Sequence, residues 1–249
     1  MIEIYKDYEA LSLAAAERVA NLLAEKPDAV LCLPSGSTPL GMFKILAEKS
    51  KAGGMDFSTC TFVGLDEWVG MGTDDEGSCR YWIDRDFLHP IGFRDDQIIY
   101  FDAKSDDLPR QCERVNQAIA KLGGLDLMVL GVGMNGHLAL NEPGTSFDSY
   151  AHLSTLDPIT AEVGQKYFTK ATSLTQGITL GLRHAREAKQ LIVMASGAAK
   201  APVMKRALEG EVSEDFPASL VQRVEGALVM LDEAAAGDGV GMQFIASGS

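Results

Sequence analysis

Apolar runs of strand length recur along the chain with little polar alternation: Ala29–Leu33, Thr61–Leu65, Gln97–Phe101, Leu125–Gly131, Leu191–Ala195 and Ala227–Leu231. A strand covered on both faces has no polar side to show, so these runs predict the parallel strands of a buried sheet. Between most of them the apolar positions switch to helical spacing, over Asp7–Glu25, Pro39–Lys51, Ser78–Leu88, Pro109–Leu122 and Ala198–Glu209. Strands alternating with helices predict an α/β fold: a doubly wound, mostly parallel, Rossmann-like sheet with helices on both faces. Ligands of such sheets bind outside the carboxyl ends of the strands. Thr145–Gln176 has mixed polarity and no clear strand, and a connection of that length is often a lid. Gly177–Leu182 is a candidate for one further short strand. Ala234–Ser249 is a small-residue tail expected to fray.

No internal repeat or low-complexity linker interrupts the 249 residues, which fit a single domain over 1–249. The balance of 46% hydrophobic and 23% charged residues is that of an ordinary globular protein. A net charge of −13 argues against nucleic acid, because affinity for a polyanion comes mainly from Lys and Arg releasing counterions. The partner expected is a small molecule, and an anionic one needs local positive features against the overall field. No apolar run reaches the roughly 18 residues of a membrane-spanning helix. The Met1-Ile-Glu-Ile start lacks the basic-then-apolar order of a signal peptide, so the expectation is a cytosolic protein without a membrane partner. Cys32, Cys60, Cys79 and Cys112 are scattered without C-x-x-C spacing, which indicates neither a metal site nor a disulfide framework. Nothing in the pattern distinguishes a monomer from a homo-oligomer.

Three candidate sites follow strands directly, and their convergence at strand ends points to one cleft. In Leu33-Pro-Ser-Gly-Ser-Thr-Pro39, a glycine-hydroxyl turn precedes Pro39 at a helix start. Free backbone N–H groups there, with Ser35, Gly36, Ser37 and Thr38, suit a phosphate; the alternative is simple N-capping by Ser37 or Thr38. Asp66 and Glu67 follow the run Thr61–Leu65, walled by Leu65 and Trp68. Such surroundings raise a carboxyl pKa toward the range of a general base, and neighbouring side chains here tend to point apart, so one functional acid is expected. Asp74-Asp75-Glu76 lacks an apolar setting and reads as a solvated loop.

The third site, Gly131-Val-Gly-Met-Asn-Gly-His-Leu-Ala-Leu-Asn-Glu-Pro-Gly144, supports two incompatible readings. Gly131, Gly133 and Gly136 have the G-x-G-x-x-G spacing of a dinucleotide turn, and Asp157 lies near the distance of a ribose-binding acid. That reading needs a helix after the third glycine, and Pro143-Gly144 follows too soon. The other reading is a tight turn that projects His137, with Glu142 returning to orient the ring and Asn135 nearby. A purely structural histidine held by Glu142 stands beside it. Lys200 follows the strand Leu191–Ala195 at the first turn of the next helix, where a cation opposes the helix dipole and a bound anion compensates; the alternative is a surface lysine.

Taken together, Leu33–Pro39, Leu65-Asp-Glu-Trp68, Gly133–Gly144 and Ser213-Glu-Asp-Phe-Pro-Ala-Ser219 resemble the glucosamine-6-phosphate deaminase family, in consistent order from about Ala29 to Asp232. Asp66-Glu-Trp, Gly77-Ser-Cys, Cys112-Glu-Arg-Val and Lys121-Leu-Gly-Gly-Leu-Asp-Leu127 look closest to its galactosamine-6-phosphate deaminase/isomerase branch. The resemblance implies aldose-to-ketose isomerisation with deamination, without metal or organic cofactor. The expected reaction takes galactosamine 6-phosphate to tagatose 6-phosphate and ammonia, with glucosamine 6-phosphate to fructose 6-phosphate as the alternative. A related lactone hydrolase and a non-enzymatic phosphosugar sensor are the rival readings. The resemblance also implies ring opening by His137 with Glu142, proton transfer from C2 to C1 by Asp66, and phosphate binding by Ser35–Thr38 and Lys200. Asn135 stands where many members have aspartate, though shorter bacterial members share the asparagine; it hydrogen-bonds but is no base. Lys166 stands where an arginine binds phosphate and lacks the bidentate fork.

Overall fold

The structure, a computed structural model, describes residues 1–237. Among them, strands run in chain order as β1 (Ile2–Tyr5), β2 (Val30–Cys32), β3 (Thr61–Val63), β4 (Asp66–Trp68), β5 (Ile98–Ile99), β6 (Leu127–Gly131), β7 (His152–Thr155), β8 (Gln176–Thr179), β9 (Leu191–Ala195) and β10 (Leu228–Asp232). The helices are α1 (Tyr8–Glu25), α2 (Leu40–Lys51), α3 (Cys79–Ile83), α4 (His89–Ile91), α5 (Leu108–Lys121), α6 (Pro158–Gly164), α7 (Leu182–Glu187), α8 (Ala201–Glu209) and α9 (Glu233–Ala236).

Seven strands form one parallel sheet in the order β1-β10-β9-β6-β2-β3-β5. Because side chains alternate across a strand, consecutive residues feed two separate cores. Val30, Cys32, Met128, Leu130, Val193 and Leu231 belong to one. Leu31, Leu33, Leu127, Val129, Ile192 and Met230 belong to the other, with α1, α2 and the rings of Phe43, Phe57, Phe62, Phe87 and Phe93. Both faces are therefore dry, which is why the strands read as unbroken apolar runs. The chain winds outward from β2 through β3 to β5, then crosses back to lay β6 on the other side of β2. That reversal opens a crevice at the carboxyl ends of β2 and β6, the topological switch point where open α/β sheets hold ligands.

A second, antiparallel sheet of order β4-β8-β7 stands over this edge, pairing Asp66 with Thr179 and Trp68 with Gly177. It corrects two expectations. Thr145–Gln176 is not strandless: it holds β7 and α6, and β7 carried no apolar signal because only Ser154 of His152–Thr155 is buried. Asp66–Trp68, expected only as residues that follow a strand, form a strand of their own, and all three are buried. The short strand expected within Gly177–Leu182 is β8. Ser78–Leu88, expected as one helix, breaks after α3 into a π-helical turn over Asp84–Leu88. Of the expected tail, Ala234–Ala236 lie in α9, and positions 238–249 lie outside the described residues.

Candidate active site

A cavity of about 200 Å³ occupies the crevice and is lined by Ser35–Thr38, Asp66, Cys79, His137, Thr160, Lys166, Tyr167 and Lys200, among others. Every candidate binding residue reaches it. Of the acid/base candidates, Asp66 and His137 line it, while Asn135 and Glu142 stand behind His137.

The Ser35–Thr38 turn ends β2 and leads into α2, whose N-cap is Pro39 with no side-chain capping bond. Ser37 and Thr38 are therefore not the caps that the alternative reading required. A hydroxyl from α1 does that work: Tyr8 Oη donates to the Ser37 and Thr38 carbonyls at 3.1 Å and accepts from Gly41 N–H at 2.8 Å. Gly36 is at φ +103°, and a Cβ there would meet Tyr167 Oη at 2.9 Å. Glycine thus lets the Tyr167 phenol pack against the turn. Burial pushes the Tyr167 phenol up to about 12, so it is a neutral hydrogen-bond donor at physiological pH.

Asp66 and Glu67 point apart, as alternation along β4 requires. Glu67 is fully buried and accepts from the backbone N–H groups of Trp68 (2.8 Å), Cys79 (2.9 Å) and Arg80 (2.8 Å). It ties β4 to the start of α3, and burial still raises its carboxyl to about 7. Asp66 is the acid that faces the cleft. Burial pushes it up to about 6, against the opposing pull of Cys79 and His137. A carboxylate poised there is ionised at neutral pH, poorly solvated and able to take a proton from carbon.

Across the cleft, the Gly131–Gly144 stretch forms turns, not the helix a dinucleotide needs: Gly136 N–H donates to Gly133 O and Gly133 N–H to His137 O. Asp157, the ribose-acid candidate, instead caps α6 through Ile159 N–H at 2.8 Å. A Cβ on Gly133 would lie 2.2 Å from the His137 ring, so the imidazole packs on bare backbone. The Ser213–Ser219 motif buttresses this turn: Gly136 O accepts from Ala218 N–H (2.8 Å), and Gly144 N–H donates to Glu214 O (2.9 Å). Glu142 Oε2 lies 3.6 Å from His137 Nδ1 and accepts from Asn135 Nδ2 at 2.8 Å. Asn135 meets His137 through the backbone, its Oδ1 accepting from His137 N–H at 3.1 Å. Burial raises the Glu142 carboxyl, but His137, Thr160 and Asn135 together hold it below its ordinary value.

Lys200 closes a 3₁₀ turn and immediately precedes α8, rather than lying in that helix's first turn; its Nζ donates to Val132 O at 2.6 Å. Burial, with the like charge of Lys166 nearby, lowers its pKa. Two cations held together at one end of a cleft favour an anion between them. Thr160, Tyr167, Cys79 and Tyr8 are the site residues that sequence reasoning missed. Only the Asp157-Pro158 helix start hinted at α6, and nothing local marks which of its residues reaches His137. Among the described residues no cluster of His, Cys, Asp and Glu could hold a metal, the four thiols are buried and unpaired, and no helix is long and apolar enough to cross a membrane.

The chain matches the model of the glucosamine-6-phosphate isomerases/6-phosphogluconolactonase family over residues 6–230. The glucosamine-6-phosphate deaminase of Bacillus velezensis is 37% identical over 93% of this chain and 97% of its own. Glucosamine-6-phosphate deaminase 1 of Bacillus subtilis is 36% identical over 92% and 95%. A monomeric glucosamine-6-phosphate deaminase of the NagB superfamily superposes with a TM-score of 0.91 at 35% identity, over 94% of this chain and 98% of that one. The 6-phosphogluconolactonase of Trypanosoma brucei, 20% identical with a TM-score of 0.74 over 95% and 97%, shares the fold. By sequence match and by architecture, then, this chain belongs to the glucosamine-6-phosphate isomerase/6-phosphogluconolactonase family.

Proposed function

We propose that this protein is an aminosugar-6-phosphate deaminase/isomerase that converts glucosamine 6-phosphate to fructose 6-phosphate and ammonia. The observation that carries this reading is the placing of a poorly solvated carboxylate, Asp66, and an orientable imidazole, His137, in one cleft with Lys166, Lys200 and the Ser35–Thr38 turn. The turn and the lysines hold the phosphate and so fix C2 against Asp66; such positioning supplies a large share of a rate. His137 moves a proton between O5 and O1 to open the ring, with Glu142 balancing its charge. Asp66 removes the C2 proton and returns it to C1, giving a ketose imine that water converts to ketose and ammonia. α6 and Tyr167 both come from the stretch 145–176 and form part of the cleft wall, which supports a lid role for it.

The relatives' activities support the gluco epimer ahead of the galacto epimer expected from the branch motifs. Galactosamine 6-phosphate remains the second reading on those motifs, Asp66–Trp68, Gly77–Cys79, Cys112–Val115 and Lys121–Leu127. Ammonia release measured on both epimers decides between them, with glucosamine 6-phosphate expected to give the higher kcat/KM. Asp66→Asn is expected to abolish exchange of the C2 hydrogen with solvent. Hydrolysis of 6-phosphogluconolactone without ammonia from either aminosugar would overturn the proposal, because a lactone offers Asp66 no carbon acid.

A further inference from the structure

We propose that Tyr167 is a further phosphate-binding residue, its phenol donating a hydrogen bond to the substrate phosphate held on the Ser35–Thr38 turn. The inference deepens the substrate site of the proposed reaction and rests on that reading, but it is indifferent to the epimer. Tyr167 ends the 3₁₀ turn Gln165–Tyr167 that follows α6, and it lines the cleft together with Ser35–Thr38, Lys166 and Lys200. Its hydroxyl reaches the turn: Oη lies 2.9 Å from where a Cβ on Gly36 would stand. Among the described residues nothing hydrogen-bonds that hydroxyl. The ring is held on two sides, with Lys166 Nζ 4.9 Å from its centroid and the Trp82 ring packed at 6.3 Å with a 57° tilt. The Gln165 side chain ties the segment down, Nε2 donating to Thr172 O at 2.7 Å and Oε1 accepting from Thr172 N–H at 3.0 Å.

A phenylalanine would pack in the same way, so the ring contacts do not account for the hydroxyl. Half-buried and without a protein partner, it costs stability unless water or a ligand satisfies it. Its surroundings name the ligand. Among the described residues, none of the backbone N–H groups of Ser35–Thr38 donates to the protein, and two ammonium groups line the same cleft. A group held by free N–H donors and two cations is an anion, and its oxygens accept. Burial keeps the proton on the phenol, so Tyr167 has a proton to give to such an oxygen. Lys166 supplies charge without the directed fork of an arginine, and the packed phenol beside it adds one donor of fixed direction. Gly36, at φ +103° and without a Cβ, leaves the space that this hydroxyl occupies. The phosphate is thus gripped by donors from two elements, the turn after β2 and the turn after α6.

Tyr167→Phe keeps the ring with its Lys166 and Trp82 contacts, so it tests the hydroxyl alone. Titration calorimetry of the full-length protein with inorganic phosphate and with fructose 6-phosphate is expected to show Kd raised about tenfold for both, the effect of one hydrogen bond to a charged acceptor. KM for the aminosugar phosphate is expected to rise by the same factor while kcat holds, the mark of binding common to the ground and transition states. The thermal midpoint of the ligand-free variant is expected not to fall, since no protein group loses a partner. A parent that does not bind phosphate, unchanged or tighter phosphate binding in the variant, or a loss confined to fructose 6-phosphate would each overturn the proposal. So would a fall in kcat at constant KM, or a lower midpoint without ligand. The phosphate titration needs no turnover: where neither aminosugar releases ammonia and the phosphate Kd still separates parent from variant, the assigned reaction fails and the role of Tyr167 stands.

Discussion

Asp66 has the environment of a base at a cost in stability. Its carboxyl moves from the ordinary 3.8 to about 6 because burial strips water from the charged form. The native state therefore holds its proton more tightly than the unfolded chain does. The contribution of this group to stability is complete below the unfolded pKa and is lost as pH rises through about 6. Two outcomes follow from the one shift. The acid limb of kcat/KM is expected near pH 6, where the base gains its proton; a limb near 4 would assign the carbon base elsewhere. Asp66→Asn, expected to be inactive on the proposed role, is also expected to be more stable than the parent at pH 8 by about 2 to 3 kcal/mol, with the gain vanishing toward pH 4. Urea titrations at the two pH values measure it, and a pH-independent difference would show that the charge is not the cause. In the proposed role, activity and stability are opposed at this residue because the low solvation that makes the carboxylate basic also makes it costly to keep.

Among the elements, β4 and α3 form one working unit, and Glu67 is its fastener. Its carboxylate satisfies three backbone donors that burial would otherwise leave unpaired, including two at the start of the helix that carries Cys79 beside Asp66. Glu67→Ala is expected to lower unfolding stability by about 3 kcal/mol, and Glu67→Gln, which keeps one acceptor oxygen, by less. Equal urea midpoints for the alanine variant and the parent would remove this account. That Asp66 and Glu67 point apart was legible, since alternation separates neighbours whatever strand they occupy. Their strand was not, because three residues with two acids carry no apolar run. The Gly131–Gly144 turn was legible for a different reason. Pro143 and Gly144 forbid a long helix locally, so the nucleotide spacing could be set aside before any coordinates. Thr160 was illegible, since its partner lies across the cleft on another element.

Over the whole molecule, the buried acids and the paired acids pull the pH dependence in opposite directions. Asp66 and Glu67, raised to about 6 and about 7, withdraw stability as pH climbs, and the self-repulsion of a chain at −13 adds to it. Glu142 and Asp126, held below their ordinary values by their partners, withdraw it as pH falls under about 4.5. Thermal midpoints are therefore expected to peak between about pH 4.5 and 6 and to decline toward pH 8. A maximum at pH 8 would contradict the burial of both acids. The sequence by itself determined the alternation of buried strands and helices, the strand-end location of the cleft, and the residue types Asp66, His137, Glu142 and Lys200. Each of these is written in local periodicity or in the chemistry of a short segment. Only the tertiary structure decided that Glu67 binds the start of α3, that Tyr8 rather than Ser37 or Thr38 secures the α2 start, and that a hydroxyl from α6 lies 3.0 Å from His137 Nδ1. Those outcomes depend on contacts between elements distant along the chain, and no local pattern of hydrophobic and polar residues records which side chains a fold brings within 3 Å of each other.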